Sequence, residues 1–99
     1  MFEFSSIEEV RNHIDQIDDQ IVQLISKRSH YVCHAMKFKN SLKEVDVPSR
    51  NQEVIQRVRN LSKAYQLDPE IAERIYQVMI KEFILFQKKE MLKRVAQHE

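Results

Sequence analysis

The stretch IEEVRNHIDQIDDQIVQLISKRSHYVCHAMKF, residues 7–38, decides the fold. Ile7, Val10, Ile14, Ile17, Ile21 and Leu24 recur in alternating steps of three and four, and the same phase continues through Arg28, Tyr31, Ala35 and Phe38. This is a heptad-like stripe along one helix face, with no proline to interrupt it. Just ahead, Ser5 and Ser6 stand three residues before Glu8 and Glu9, and either pair suits a capping box in which hydroxyl and carboxylate satisfy orphan backbone donors. The stretch predicts a helix from about Ser6 to about Asn40. Asn40 offers a left-handed C-terminal residue in a chain that has no glycine.

Beyond it lies a short connection, Ser41 to Val47. Pro48 suits the first turn of a second helix, where its missing N–H costs nothing. Val54, Val58, Leu61 and Tyr65 space that helix over about 48–65. Asp68-Pro69 is a start signal, with Asp capping and Pro at the first helical position. Ile71, Ile75, Val78, Met79, Phe83 and Phe86 give the inner face of a third helix over about 69–95. Nothing alternates as a strand does, and no segment repeats. The expected fold is all-α, three helices in a single domain spanning 1–99, with a very long first helix.

Composition narrows the function classes. In 99 residues there is no glycine, which removes the Gly-rich phosphate loops, because their tight turns and close backbone approach need residues without a Cβ. With 16 Lys+Arg against 15 Asp+Glu, the formal net charge of +1 makes no broad electrostatic case for nucleic acid or an anionic membrane. One cysteine forms no intramolecular disulfide, which suits a reducing compartment. Met1 to Ser6 has no basic n-region or apolar core, and no run approaches the ~18 apolar residues of a spanning helix. A cytoplasmic protein is expected.

Length adds a constraint on assembly. A first helix running from Ser6 to Asn40 is a rod of about 50 Å, whereas a compact chain of this size has a radius of gyration near ~13 Å. Two shorter helices leave part of its stripe uncovered, and a closed two-fold homodimer is the commonest way to cover the excess. The alternative is a bend near Arg28.

Some polar residues stand in apolar places. Arg28 occupies a stripe position, where a buried guanidinium is unfavourable unless paired or bound to an anion; a structural salt bridge or snorkelling at the stripe's edge accounts for it equally well. Lys39 lies close to the same azimuth, about 16 Å further along the axis. Arg11 shares the heptad phase of Lys39 and is too distant to reach it within one chain. An antiparallel partner helix brings Arg11 of one subunit towards Arg28 and Lys39 of the other, building a cationic pocket at the interface. Gln87 follows Met79 and Phe83 in steps of four, so it projects from an apolar face either as a satisfied core amide or as a ligand donor. Arg50 opens the second helix near backbone N–H groups that favour anions; by itself it reads as a surface residue.

Other chemistry has little support. His30 and His34 have the i, i+4 spacing of a metal pair, but the Glu of the zincin motif and a third ligand are missing. Cys33 stands beside those histidines on the face opposite the stripe, a poor place for a buried nucleophile. No Ser-His-Asp arrangement stands out. Asp15, Asp18 and Asp19 read as a solvated face.

The run from Val10 to Arg28 (VRNHIDQIDDQIVQLISKR) resembles the first helix of the all-helical chorismate mutase family. Lys37-Phe38-Lys39 closes that helix as the family does, Arg50 heads the second helix and Gln87 lies late in the third. The likeness extends over about residues 6 to 94. It rests on the ordered set Arg11, Arg28, Lys39, Arg50 and Gln87 rather than on any single motif. The resemblance implies an intertwined all-helical homodimer with two active sites, each taking Arg11 from the partner subunit. It implies a dianionic substrate, chorismate or isochorismate, and no metal or cofactor, because the reaction is pericyclic. Arg11 and Arg28 would bind the two carboxylates, Lys39 and Gln87 the ether oxygen, and Arg50 would support the site.

Typical mutases have an acidic residue three before the second-helix Arg, and just after it a Glu that helps bind the substrate's ring hydroxyl. Here those positions are Val47 and Asn51. The loop from Val45 to Arg50, the run Arg28-Ser29-His30-Tyr31-Val32, and Phe83 four before Gln87 are similar instead to the isochorismate-pyruvate lyase branch. On that resemblance the leading expectation is a lyase converting isochorismate to salicylate and pyruvate, commonly feeding siderophore synthesis, with Asn51 and Phe83 contacting substrate and with weak mutase activity compatible. The alternative is a chorismate mutase making prephenate. A third reading is a non-catalytic helical dimerisation module with the arginines in interfacial salt bridges.

Overall fold

The computed structural model describes residues 3–97, apart from the side chains of Val95 and Gln97; positions 1, 2, 98 and 99 of the expected domain lie outside it. Three helices carry the fold: α1 (Ile7–Ala35), α2 (Pro48–Ala64) and α3 (Pro69–Gln97), with no strand among the described residues. Short 3-10 turns at Met36–Phe38 and Leu42–Glu44 lie between α1 and α2. The chain divides into two compact units, one up to His34 and one from Ala35 onward.

In the first unit, α1 runs unbroken for 29 residues, about 44 Å. Of the two candidate capping pairs, Ser6 and Glu9 form it: the Glu9 N–H donates to Ser6 Oγ at 3.2 Å. The Glu9 carboxylate reaches back one residue further than in the standard box, accepting from the Ser5 N–H and the Ser5 hydroxyl, each at 3.0 Å. Those bonds to Ser5, with a smaller attraction from His13, hold the Glu9 carboxyl below the usual carboxylate range. No residue of α1 is buried. Ile7, Ile14, Ile17, Ile21, Leu24 and Tyr31 are all exposed along the stripe.

The α-helix closes at Ala35, short of the expected end near Asn40. The stripe's phase continues through Phe38, but the backbone tightens to a 3-10 turn over Met36–Phe38 and then extends at Lys39, with φ −109° and ψ 131°. Asn40 is not left-handed. Among the described residues the one non-glycine with positive φ is Gln66, at 59°, just past α2. There the Leu67 N–H donates to Ser62 O at 2.8 Å and the Gln66 N–H to Lys63 O at 3.3 Å. This is a Schellman closure, built without the glycine that usually occupies its left-handed position. For an L-residue that conformation costs about 1–2 kcal/mol.

In the second unit α2 and α3 form a helical hairpin. Asp68 starts α3 as expected: its carboxylate accepts from the Glu70 N–H at 2.9 Å, with Pro69 following it into the helix. Arg59 of α2 bridges to Glu70 at 2.9 Å and to Glu73 at 3.4 Å on α3. The bond to Glu70 raises the Arg59 guanidinium above its ordinary value. Val58, Ser62 and Ala72 are buried near this end. Towards the other end Met36, Val45 and Met91 are each 5% exposed and pack with Ile84. Truncating Met36 or Met91 to Ala there costs about 2–5 kcal/mol. This small core fastens the segment after α1 onto α3, and so fixes the residues between Met36 and Val45.

Candidate active site

Lys39 lies within that fastened segment. Its own N–H donates to Met36 O at 3.0 Å, and Arg94 of α3 donates to the same carbonyl through Nη1 at 3.4 Å. The orphan carbonyl at the end of the helix is thus satisfied from two sides, which holds the turn that presents Lys39. The next residue's N–H donates to the Glu44 carboxylate, tying the loop to itself.

From this anchor Lys39 Nζ donates to Gln87 Oε1 at 2.9 Å. Gln87 is 4% exposed, and its Nε2 donates to Phe83 O at 3.2 Å. An ammonium has donors only, so the Gln87 oxygen must face Lys39 and the NH2 group must turn away. One amide hydrogen goes to Phe83 O, leaving one to donate, while Lys39 retains two further N–H donors. The pair keeps spare donors on a buried amide and a half-buried ammonium, where they act more strongly than in bulk water. Phe83 contributes its backbone carbonyl to this arrangement.

Asn51, in the first turn of α2, is half-buried, and its Nδ2 donates to Asp46 Oδ1 at 2.9 Å. Both residues line a cavity of about 640 Å3 between α2 and α3, with Ile55, Ile80, Ile84 and Lys88 also on its wall. Its size falls in the ordinary range of small-molecule pockets. Ile84 joins this wall to the Met36–Val45–Met91 core; neither Lys39 nor Gln87 is among the lining residues. Arg50, also in the first turn, is exposed and lies 3.7 Å from the exposed Glu53, a pairing too solvated to hold it firmly.

Arg11 and Arg28 are carried by α1, Arg11 exposed and Arg28 half-buried. They stand about 26 Å apart along the helix axis, wider than any single-ring substrate. Sequence reasoning missed Asp46 and Arg94. Arg94 carried no signal, because its role arises from a contact to Met36 far away in sequence; Asp46 had only its position before the second helix.

The family model described as chorismate mutase type II matches residues 10–88. The chain belongs to that family. Two curated relatives agree. A chorismate mutase of Methanocaldococcus jannaschii is 33% identical over 73 residues, covering 73% of this chain and 74% of the relative. A bifunctional chorismate mutase/prephenate dehydratase of Buchnera aphidicola subsp. Schizaphis graminum is 35% identical over 81 residues, covering 80% of this chain and 21% of that longer protein. The protein is therefore a chorismate mutase-family enzyme acting on a small molecule. The expected tilt towards isochorismate-pyruvate lyase finds no support in these relatives, both of which carry chorismate mutase in their names. No described helix is long and apolar enough to cross a membrane.

Proposed function

We propose that this enzyme is a chorismate mutase, converting chorismate to prephenate. The observation that carries the reading is the Lys39–Gln87 pair, 2.9 Å apart and with Gln87 buried. In the rearrangement the ether C–O bond breaks as a C–C bond forms between the enolpyruvyl methylene and the ring carbon bearing the carboxylate. Negative charge grows on the ether oxygen. Lys39 and the remaining Gln87 amide hydrogen stabilise that charge, an effect realised mostly in the transition state. No proton or electron need leave the substrate, so the pair serves by hydrogen bonding alone.

The carboxylates fall to Arg28 and to Arg11 of a second copy, through bidentate charge-assisted bonds that hold a compact reactive conformer. The distance between the two arginines on one helix and the exposed apolar side chains of α1 both favour an intertwined homodimer. Arg50 supports the site from α2, Asn51 meets the ring hydroxyl, and Phe83 lines the substrate. A cytoplasmic setting accords with the unpaired Cys33.

Offering chorismate and isochorismate separately, and reading prephenate, salicylate and pyruvate, tests the assignment. Prephenate from chorismate is expected. Salicylate and pyruvate from isochorismate without prephenate would establish the lyase reading, which the Asn51 and Val47 positions favour. A folded dimer that turns over neither substrate would establish a dimerisation module.

A further inference from the structure

Asp46 closes the loop before α2, and its Oδ1 accepts a hydrogen bond from Asn51 Nδ2 at 2.9 Å on the wall of the α2–α3 cavity. A carboxylate is acceptor-only, so the NH2 group of Asn51 must face it. The amide is planar, and Asn51 Oδ1 is therefore directed away from Asp46. The backbone N–H of Asn51 is already committed to Val47 O at 3.0 Å, which fixes the stem of the side chain in the first turn of α2. Asn51 thus presents an acceptor oxygen without bearing a charge, and the hydrogen bond to the carboxylate fixes which way its amide faces.

We propose that Asp46 is a positioning residue: it orients Asn51 as a neutral acceptor for the ring hydroxyl of the substrate, so that a two-residue relay does the work of a single carboxylate. This rests on the reading above, in which Asn51 meets that hydroxyl. The arrangement keeps the negative charge one residue further from a dianionic substrate, which lessens like-charge repulsion. Because the hydroxyl bond is made in ground and transition states alike, its loss appears in KM rather than kcat.

The test is steady-state kinetics on chorismate, and on isochorismate if that is the substrate turned over, with wild type, Asp46→Ala, Asn51→Asp and the exchange D46N/N51D. Asp46→Ala is expected to raise KM about tenfold with kcat within about twofold. Asn51→Asp sets two carboxylates side by side and raises KM at least as much. In the exchange, an amide at 46 donates to a carboxylate at 51, which again offers an acceptor oxygen; KM is expected to return to within about threefold of wild type. Circular dichroism and melting temperature monitor folding in each variant. A lowered melting temperature with unchanged KM in Asp46→Ala, or no rescue by the exchange, would overturn the relay and leave Asp46 as a lock on the start of α2. Wild-type protein inactive on both substrates would overturn the functional reading, and the relay with it.

Discussion

Two parts of this chain handle their apolar surface in opposite ways. The segment from Ala35 onward has its own core, with Met36, Val45 and Met91 each 5% exposed, and it holds Lys39 against Gln87. The helix α1 has no buried residue, although it carries the longest apolar stripe in the sequence and both arginines proposed to bind the substrate's carboxylates. On the proposed reading, the chemistry at the ether oxygen is preorganised by contacts within one copy. On the same reading, recognition of the carboxylates falls to a helix whose apolar stripe is exposed. The Lys39–Gln87 pair is held by contacts to Met36, Arg94 and Phe83 within one copy, whereas in the proposed homodimer Arg11 and Arg28 serve one substrate only when two copies meet.

The largest expected effect probes the preorganised half. Lys39→Ala should lower kcat about 100- to 1,000-fold while KM changes far less, because removing one donor at a developing oxyanion costs transition-state stabilisation. Equal falls in kcat/KM through KM alone would remove Lys39 from the chemistry. Arg94→Ala sharpens the same comparison. It leaves the Lys39 side chain intact and withdraws one support from Met36 O, so kcat should fall about two- to tenfold with helicity retained. An unchanged kcat would show that the Met36–Val45–Met91 packing alone holds the turn.

Gln66→Gly relieves the left-handed residue after α2. Against the larger backbone entropy of glycine in the unfolded chain, a net gain of about 0.5–1 kcal/mol is expected, read as a raised midpoint in urea unfolding without change in kcat. The smallest effect lies at the start of α1. The Glu9 carboxyl is held below its unfolded value, so its contribution to stability is present above the unfolded pKa and is lost as pH falls through the folded one. Glu9→Gln should therefore flatten the acid side of the stability profile below about pH 4.5, leaving neutral activity unchanged.

Much of the three-helix architecture was legible because periodicity and start signals are local. The stripe announced α1, Pro48 opened α2, and Asp68-Pro69 opened α3. The end of α1 was not legible, since the apolar phase runs on through Phe38 while the backbone tightens at Met36, which packs with Val45 across the loop and with Met91 and Arg94 far away in sequence. Lys39 and Gln87 could be singled out as polar residues in apolar positions, although only the fold brings them together. Gln66 gave no signal at all. A glycine-free chain must still turn after α2, and which residue takes the strain depends on where the hairpin closes. The Asp46–Asn51 bond was hidden for a similar reason, because it depends on how the loop enters the helix.

The division of labour between the two parts is tested most directly by mixing subunits. Arg11→Ala and Arg28→Ala should each be inactive as folded helical dimers. When the two are unfolded, mixed in equal amounts and refolded together, half the dimers are heterodimers, and each of these has one site with both arginines intact. Recovery of about a quarter of wild-type chorismate turnover is predicted. No recovery, with heterodimers demonstrated by mass spectrometry, would contradict an Arg11 supplied from the partner.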